Sequence, residues 1–475
     1  MSGSCDDENG ASYDVAVIGA GSAGFSAAIT AADEGAHVAI IGHGTIGGTC
    51  VNVGCVPSKA LIRAAETLHI ASVADRFDGI MARALVTDWS IAVKQKQDLV
   101  DDLRKSKYTD ILPSYDSIAY LEGEAAFTNN GTLRVDSAEI DAKKIIIATG
   151  TSPALPSIAG IENVPFLTST TALELVELPQ SLLVIGAGYV GVEIAQMFAR
   201  AGVDVTIVSR RGLLPEAEPE VSEALTGFFA NEKISVIRDI TYDRIEGDEH
   251  NITLYVNGQS GSQKFTAEKV MIASGRTPNT GRLNLAEAGI EIADDQGIVV
   301  DQQMRTTREG VYAAGDVTGK DQFVYMAAYG AKIAAKNAIN GNSLAYDNSI
   351  MPTVVFTDPQ IASVGYGEAQ ARAAGYDVKT SVLPLENVPR ALAARDTRGL
   401  FKLIADAKTK KLLGAHLIAP EGSDSIQTAA LAIKTGMTYE ELGSMIFPYL
   451  TTVEGLKLAA QTFDMDVTKL SCCAG

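Results

Sequence analysis

The sequence predicts an α/β protein with two Rossmann-like dinucleotide-binding domains and a C-terminal α+β domain that serves packing or dimerisation. Three observations support this fold class. A strand, a glycine-rich turn, a helix and a second strand open the chain, the same unit recurs later, and the region after about Ser349 mixes strands and helices without a nucleotide signature. At roughly 150 residues per domain, the 475 residues form about three domains.

The first unit begins with the short apolar run Tyr13–Gly19, which is typical of a buried parallel strand. An alanine-rich helical stretch then reaches Glu34, and a second apolar run covers His37–Ile41. The turn between strand and helix has the pattern GxGxxG, formed by Gly19, Gly21 and Gly24. These glycines let the backbone approach a pyrophosphate, whose charge the helix N-terminus stabilises.

The second unit repeats this pattern near the middle of the chain. The apolar run Ser181–Gly186 leads into a helix that continues through Arg200, and a further strand covers Val203–Val208. Its turn glycines are Gly186, Gly188 and Gly191. Two dinucleotide sites indicate two nucleotides, which is the arrangement of a flavin enzyme that a nicotinamide reduces.

The residues after each second strand refine this assignment. A dinucleotide fold usually carries Asp or Glu there to bind a ribose hydroxyl. The second unit instead has Ser209, Arg210 and Arg211, and two cations suit a 2′-phosphate, so NADPH is favoured over NADH. In the first unit Gly42 takes the place of the acid, so the adenosine ribose must find other partners. Two further apolar strands that end in small residues, Lys144–Gly150 and Gly310–Asp316, suit backbone packing against a cofactor.

Charge and hydropathy exclude several classes of protein. The chain has 39 Lys and Arg against 58 Asp and Glu, a net charge of −19 that disfavours binding to nucleic acid or anionic membranes. No apolar run approaches the roughly 18 residues of a membrane helix, and the polar N-terminus has no signal-peptide pattern. We therefore expect a cytoplasmic enzyme without membrane insertion. The acidic surplus indicates a solvated face, with adaptation to high salt as the alternative.

The cysteines indicate redox chemistry. The chain has five, namely Cys5, Cys50, Cys55, Cys472 and Cys473. Their distribution does not fit a secreted disulfide framework, because none lies between Cys55 and Cys472. Two close pairs in a reducing compartment favour reactive thiols over buried bystanders.

The segment from Gly47 to Lys59, GGTCVNVGCVPSK, resembles the redox-active segment of the pyridine nucleotide–disulfide oxidoreductases. Gly315-Asp316 resembles the second flavin motif of that family, and Val354–Gly365 resembles the opening of its interface domain. The resemblance covers nearly the whole chain. It implies an FAD-binding domain at 1–150 and 278–348, an NADPH-binding domain at 151–277, and an interface domain at 349–475.

The resemblance also implies roles for individual residues. Cys50 would exchange with substrate and Cys55 would lie over the flavin, and their spacing would let them close as a disulfide on a helix turn. Lys59 would lie near the flavin with Glu193 as its ion-pair partner. Tyr189 would cover the nicotinamide pocket, with plain helix packing as the alternative. The residues expected at FAD are Gly19, Gly21, Gly24, Gly44, Thr49, Lys59, Ala125, Thr149, Gly150, Asp316 and Val324, and those expected at NADPH are Gly186, Gly188, Gly191, Arg210 and Arg211.

The region before the tail bears on the substrate. Family members that reduce disulfides carry a His-Pro-x-x-x-Glu element near the C-terminus, whose histidine protonates the leaving thiolate. In the matching stretch Tyr449 holds the place of the histidine, while Glu454 remains. A phenol with a reference pKa of about 10 is a poor base at neutral pH. Disulfide reduction of the lipoamide or glutathione type is therefore the less favoured alternative.

The tail supplies two adjacent thiols, Cys472 and Cys473, which suit one soft cation. Together with Tyr449 and the segment GTIGGTCVNVGCVPSKALIRAAE, the tail resembles the branch of the family that reduces Hg(II). This resemblance implies that the tail thiols of one subunit of a homodimer collect Hg(II) from thiol complexes. They would pass it to Cys50 and Cys55 of the other subunit for reduction and detoxification, with Tyr449 and Tyr189 assisting. Cys50, Cys55, Cys472 and Cys473 would then all be Hg ligands.

Two further expectations concern the extent of the chain and its chemistry. The first strand begins near Tyr13, which leaves no room for the N-terminal GMTCxxC domain of many such enzymes, so we expect a core form. A metal-binding buffer with a vestigial flavin is the alternative from another class of protein, and Gly42 is the feature that favours it.

Overall fold

The computed structural model describes residues 12–259 and 261–467, so Cys5, Cys472 and Cys473 lie outside the described residues. The chain forms two compact units. The described part of the first covers 12–58, 94–154 and 275–348, and that of the second covers 59–93, 155–274 and 349–467. The domain boundaries expected from the sequence stay a prediction.

The strands and helices are numbered in chain order. The strands are β1 Ser12–Ile18, β2 Val38–Gly42, β3 Ile118–Glu122, β4 Ala125–Phe127, β5 Leu133–Val135, β6 Ala138–Ile147, β7 Thr151–Pro153, β8 Phe166–Thr168, β9 Ser181–Ile185, β10 Asp204–Val208, β11 Ser235–Ile237, β12 Thr241–Gly247, β13 Ile252–Gly258, β14 Gly261–Ala267, β15 Lys269–Ile272, β16 Arg276–Pro278, β17 Val311–Ala313, β18 Thr353–Val355, β19 Gln360–Gly365, β20 Val378–Pro384, β21 Leu400–Asp406 and β22 Leu412–Ala419. The α-helices are α1 Ser22–Asp33, α2 Gly48–Asn52, α3 Cys55–Ser72, α4 Trp89–Arg104, α5 Ser169–Ala172, α6 Tyr189–Arg200, α7 Pro219–Asn231, α8 Val324–Asn340, α9 Glu368–Ala373, α10 Pro389–Ala394, α11 Gly422–Lys434, α12 Tyr439–Ser444 and α13 Glu454–Gln461.

The first unit is built around a mixed sheet of order β3-β2-β1-β6-β5-β4, in which β17 also pairs with β6. The strands β3, β2, β1, β6 and β17 run parallel, as apolar runs buried on both faces predict. Alanines on α1 and α8 pack into the core of this unit, and their small side chains let these two helices approach each other.

The second unit contains a parallel sheet of order β11-β10-β9-β15-β8 and an antiparallel sheet of order β12-β13-β14. Its C-terminal part forms an antiparallel sheet of order β18-β19-β22-β21-β20, covered by α11 and α13. The predicted fold class is therefore confirmed. Among the helices of the described residues, none combines the length and the apolar character that crossing a bilayer requires.

One face of α6 holds the segment 356–358, which precedes β19. The carboxylate of Glu193 accepts a hydrogen bond from the backbone N–H of Phe356 at 2.9 Å. The amide of Gln196 accepts from the N–H of Asp358 and donates to its carbonyl oxygen, both at 2.8 Å. Arg200 donates to the Asp358 carboxylate at 2.9 Å. These side chains recur at helical spacing, so a single face of α6 makes all the contacts.

A buried ionic cluster surrounds the end of this face. Arg200, 6% exposed, forms ion pairs with Glu232 at 2.7 Å and with Asp358 at 2.9 Å. Arg398 lies 3.7 Å from Glu232 and 3.3 Å from Asp358. The two ring nitrogens of His69 lie 4.0 Å from the same two carboxylates, and burial lowers the pKa of this histidine. The cluster joins α3, α6 and the segment that precedes β19 within the second unit.

Candidate active site

The first glycine-rich turn joins β1 to α1. Gly19 has φ +120°, and a Cβ atom at this position would overlap the carbonyl oxygen of Ala148. Only glycine therefore permits the close approach of β1 and β6 at this turn. Helix α1 starts after Gly21 with no acidic residue in its first turn, so its N-terminal N–H groups suit an anion. These features fit the pyrophosphate of a dinucleotide.

The redox-active segment follows β2, and its two cysteines lie on different helices. Cys50 is half-buried within the short helix α2, whereas Cys55 is exposed and is the first residue of α3, an 18-residue helix. The expectation that the pair shares one helix turn is therefore wrong, because the chain leaves the helical conformation at Val53 and Gly54. Cys55 therefore lies at the N-terminus of a long helix, where the aligned backbone dipoles favour negative charge.

Asn52 fixes the turn that carries Cys50. Its side-chain amide donates hydrogen bonds to the carbonyl oxygens of Ile46 and Gly48, both at 2.9 Å. Arg104, at the end of α4, donates to the amide oxygen of Asn52 at 3.1 Å. Sequence reasoning missed Arg104, because no local pattern links it to a segment so distant along the chain.

Tyr108 is a second residue that sequence reasoning missed. It lies on the π-helical turn Lys105–Thr109, and its hydroxyl is 3.1 Å from the Ser22 hydroxyl at the start of α1. Burial raises the pKa of the Tyr108 phenol, and negative charge on Cys50 and Cys55 raises it further. The phenol therefore stays protonated beside the cysteine pair. Single π-helical turns are frequent at functional sites.

Asp316 follows β17, which ends at Ala313 rather than at Asp316 as the sequence suggested, and it begins the 3-10 turn Asp316–Thr318. Its carboxylate accepts a hydrogen bond from the Thr151 hydroxyl at 3.0 Å, and Arg276 donates to Thr151 Oγ1 at 2.7 Å. Burial raises the pKa of Asp316, and the hydrogen bond from Thr151 and the charge of Arg276 oppose this change. Thr151 and Arg276 were not among the expected site residues. The short motif Gly275-Arg276-Thr277-Pro278 after β15 is the signal that sequence reasoning passed over.

Gly42, which replaces the expected ribose-binding acid, lies at the buried end of β2. A Cβ atom at Gly42 would overlap the Tyr120 hydroxyl and would lie 2.9 Å from the Cβ atom of Ala20. Tyr120 therefore fills the space that an acidic side chain would need. The departure from the motif is matched by a compensating side chain on the neighbouring strand β3.

The other residues expected at FAD occupy turns and strand ends of the first unit. Thr149 donates to the carbonyl oxygen of Asn279 at 2.9 Å, in the turn that continues through Gly150. Gly44 lies in the turn after β2, Thr49 in α2, Ala125 at the start of β4 and Val324 at the start of α8. Each of these positions lies in or next to a strand or helix of the first unit. Their contact with FAD stays a prediction.

Within the second unit, Lys59 and Glu193 form a close ion pair. Lys59 Nζ lies 2.6 Å from Glu193 Oε2, and the Glu193 side chain is only 6% exposed. The ammonium group also lies 4.8 Å from the centroid of the Phe356 ring. Glu193 therefore orients Lys59 with one carboxylate oxygen while the other holds the backbone of Phe356.

The second glycine-rich turn has the same geometry as the first. Gly186 has φ +116°, and a Cβ atom here would overlap the carbonyl oxygen of Ala273. Helix α6 begins after Gly188 and carries Gly191 on its buried side. Tyr189 is its first residue, and burial raises the pKa of this phenol, which also hydrogen-bonds with Thr353. Arg210 and Arg211 follow β10 and are exposed.

Near the C-terminus, Tyr449 is 56% exposed, and it belongs to an exposed apolar stretch in which Ile446 is 98% exposed. Glu454 is the first residue of α13 and is 7% exposed, and its carboxylate accepts a hydrogen bond from the N–H of Leu450 at 3.3 Å. The tail thiols Cys472 and Cys473 lie outside the described residues.

The chain was compared with protein families, curated relatives and solved structures. Residues 13–335 match the profile described as "Pyridine nucleotide-disulphide oxidoreductase", and residues 351–460 match its dimerisation domain. Mercuric reductase from Lysinibacillus sphaericus is 46% identical over 98% of this chain and 85% of its own length. The enzyme of the same name from Streptomyces lividans is 45% identical over 98% of each chain.

A solved structure agrees with these matches. The Cu(II) complex of RclA, an HOCl-induced flavoprotein disulfide reductase from Escherichia coli, superimposes with a TM-score of 0.84 at 32% identity, covering 95% of this chain and 99% of that one. The chain therefore belongs to the pyridine nucleotide–disulfide oxidoreductase family, and within that family to the group of the mercuric reductases.

Proposed function

We propose that the protein reduces Hg(II) to volatile Hg(0) with electrons from NADPH and so detoxifies mercury. The observation that carries this proposal is the cysteine pair, Cys50 on α2 and Cys55 at the start of α3. The same chain has Tyr449 where disulfide reductases have a histidine. Thiolates bind soft cations tightly, and no general acid is needed to release a thiol product. The names of the relatives support the same reaction.

The two cysteines have different tasks in this proposal. Cys55, at the N-terminus of α3, is the thiolate proposed to face the cofactor. Cys50, on α2, is proposed to take over Hg(II) by ligand exchange from the thiols that deliver it. Asn52 and Arg104 keep the turn in the conformation that presents both thiols.

Bound FAD would supply the two-electron transfer from NADPH to the metal ion. The glycine turn at Gly19 and the Asp316–Thr151–Arg276 group are proposed to hold it. Lys59, oriented by Glu193, would supply positive charge to the flavin. The turn at Gly186 and the arginines after β10 are proposed to bind NADPH, and Tyr189 covers its nicotinamide.

The dimerisation domain of the chain supports a homodimer as the active form. We propose that Cys472 and Cys473 of one subunit deliver Hg(II) to Cys50 and Cys55 of the other, with Tyr449 next to the transfer path. We place the protein in the cytoplasm, because reactive thiol pairs persist in reducing compartments.

The direct test is NADPH oxidation by the purified yellow protein with Hg(II) in the presence of a small excess of thiol. We expect oxidation that depends on Hg(II) and is accompanied by loss of volatile mercury. Three comparison substrates are used. Cu(II) is included because the RclA structure contains it. Glutathione disulfide and lipoamide test the alternative of a disulfide reductase. Oxidation that responds to a disulfide but not to Hg(II) would place the chain among the disulfide reductases.

The tail is tested by the double variant Cys472→Ala/Cys473→Ala. We expect it to lose most turnover of thiol-bound Hg(II), because ligand exchange from a carrier needs an incoming pair of thiolates. Reduction of bound FAD by NADPH should be unchanged in stopped-flow absorbance. Full turnover of Hg(II) by this variant would exclude the tail as the delivery route.

A further inference from the structure

The two arginines after β10 have a third neighbour at the end of the adjacent strand. Strands β10 and β11 run parallel with Val208 opposite Ile237, and the N–H of Ser209 donates to the carbonyl oxygen of Ile237 at 2.9 Å. The ladder therefore continues to the last residue before Arg210 on one strand and before Arg238 on the other. Arg210 and Arg238 therefore follow the ends of two adjacent parallel strands, one residue apart in register.

The side chain of Arg238 extends beside the turn that carries Arg210 and Arg211. Its Nη1 atom lies 4.0 Å from the position that a Cβ atom of Gly212 would occupy. The guanidinium is about half exposed, at 49%. Two arginines on one turn and a third beside it thus lie at the carboxyl end of a parallel sheet, which is where α/β folds bind their ligands.

The ion pairs of these arginines are weak. Arg211 contacts Glu216 at 3.1 Å, but the two side chains are 67% and 77% exposed. Arg238 lies 3.9 Å from Asp239, its neighbour in sequence. Exposed pairs of this kind contribute little stability, so a doubly charged anion can displace either carboxylate.

Tyr242 closes the inner side of this turn. Its hydroxyl donates a hydrogen bond to the carbonyl oxygen of Val208 at 3.3 Å, directly before the turn. Burial raises the pKa of Tyr242 to about 12, and the positive charge of Arg210 acts in the opposite direction. The phenol is therefore protonated at neutral pH, fixes the last carbonyl of β10 and adds no negative charge to the group of arginines.

We propose that Arg238 is a third cation for the 2′-phosphate of NADPH and a determinant of the preference for NADPH over NADH. This inference rests on the proposed use of NADPH. Arg210 and Arg211 approach the phosphate from the end of β10, and Arg238 approaches it from the end of β11. Sequence patterns do not reveal this residue, because it follows a strand that has no part in the GxGxxG unit.

The test uses the purified holoenzyme and measures binding of 2′,5′-ADP and 5′-AMP by isothermal titration calorimetry. Wild type should bind 2′,5′-ADP more tightly than 5′-AMP. Arg238→Gln should weaken 2′,5′-ADP binding by roughly tenfold or more, the lower limit for losing one hydrogen bond to a charged group, and leave 5′-AMP binding unchanged. The kcat/KM for NADPH should fall by a similar factor while that for NADH stays constant. Arg244→Gln, an equally exposed arginine on β12, is the matched control and should change neither.

The outcomes separate the two levels of the proposal. If Arg238→Gln binds 2′,5′-ADP as wild type does while Arg210→Gln binds it weakly, the role of Arg238 is refuted and the use of NADPH stands. If the wild-type protein binds both nucleotides equally and uses NADH as well as NADPH, the NADPH assignment fails and the role of Arg238 fails with it. Equal thermal midpoints of the variants establish that each is folded.

Discussion

Replacing Cys55 by alanine is expected to reduce Hg(II)-dependent NADPH oxidation by roughly a thousandfold or more, the scale seen when a reacting side chain is removed. Cys55 is exposed and begins α3, so the helix terminus stabilises its thiolate. Alanine keeps the helix start but removes the sulfur that holds the metal beside the cofactor. The fold of α3 should therefore be intact while the chemistry is lost.

The measurement is steady-state turnover of Hg(II) together with the FAD content of the purified protein. Cys5→Ala is the matched control, because it makes the same substitution far from the redox segment in sequence and should keep wild-type turnover. A Cys55→Ala protein with normal FAD content and normal turnover would show that Cys55 is not a ligand of the reacting metal.

Replacing Arg200 by methionine is expected to lower the free energy of unfolding by about 3 kcal/mol, a typical loss when one partner leaves a buried ion pair. Methionine fills similar space but leaves the carboxylates of Glu232 and Asp358, 10% and 20% exposed, without their closest cation. Arg398 still lies within 4 Å of both carboxylates, so we expect the lower end of the range for such losses. The loss should lower the midpoint of thermal unfolding by several degrees.

Thermal unfolding followed by circular dichroism checks this prediction. Arg63→Met on α3 is the control, because Arg63 is 61% exposed and its pair with Glu66 is an ordinary helical one. That change should alter stability by no more than roughly 0.5 kcal/mol. Equal midpoints for Arg200→Met and Arg63→Met would mean that the buried cluster does not stabilise the second unit.

Local signals made part of this structure predictable. The two glycine turns, the strands that precede them and the fold class follow from residues adjacent in sequence, such as Gly19 and Gly186. The break between α2 and α3 was not predicted, because CVNVGC reads as continuous with the helix that follows. Partners such as Arg104, Tyr108 and Arg276 reach their sites through tertiary contacts, which a single sequence does not display.

Gly42 is a second example of what a single sequence does not display. The sequence shows that the acid is missing but not which side chain fills its place. From the sequence it is a missing ribose contact, and it favours the alternative of a metal-binding buffer with a vestigial flavin. In the structure the Tyr120 hydroxyl occupies that space, so an acid would not fit beside it. The gap in the motif is therefore a repacked position rather than an empty one.

The contacts of α6 with the segment 356–358 have a consequence for how that segment can move. Glu193, Gln196 and Arg200 each bond it at a different turn of the helix, and Glu193 simultaneously holds Lys59. A shift of the segment by one residue would break all of these bonds, so they fix the register of the segment against α6. Because one carboxylate bonds both partners, the position of Phe356 and the orientation of Lys59 depend on the same side chain.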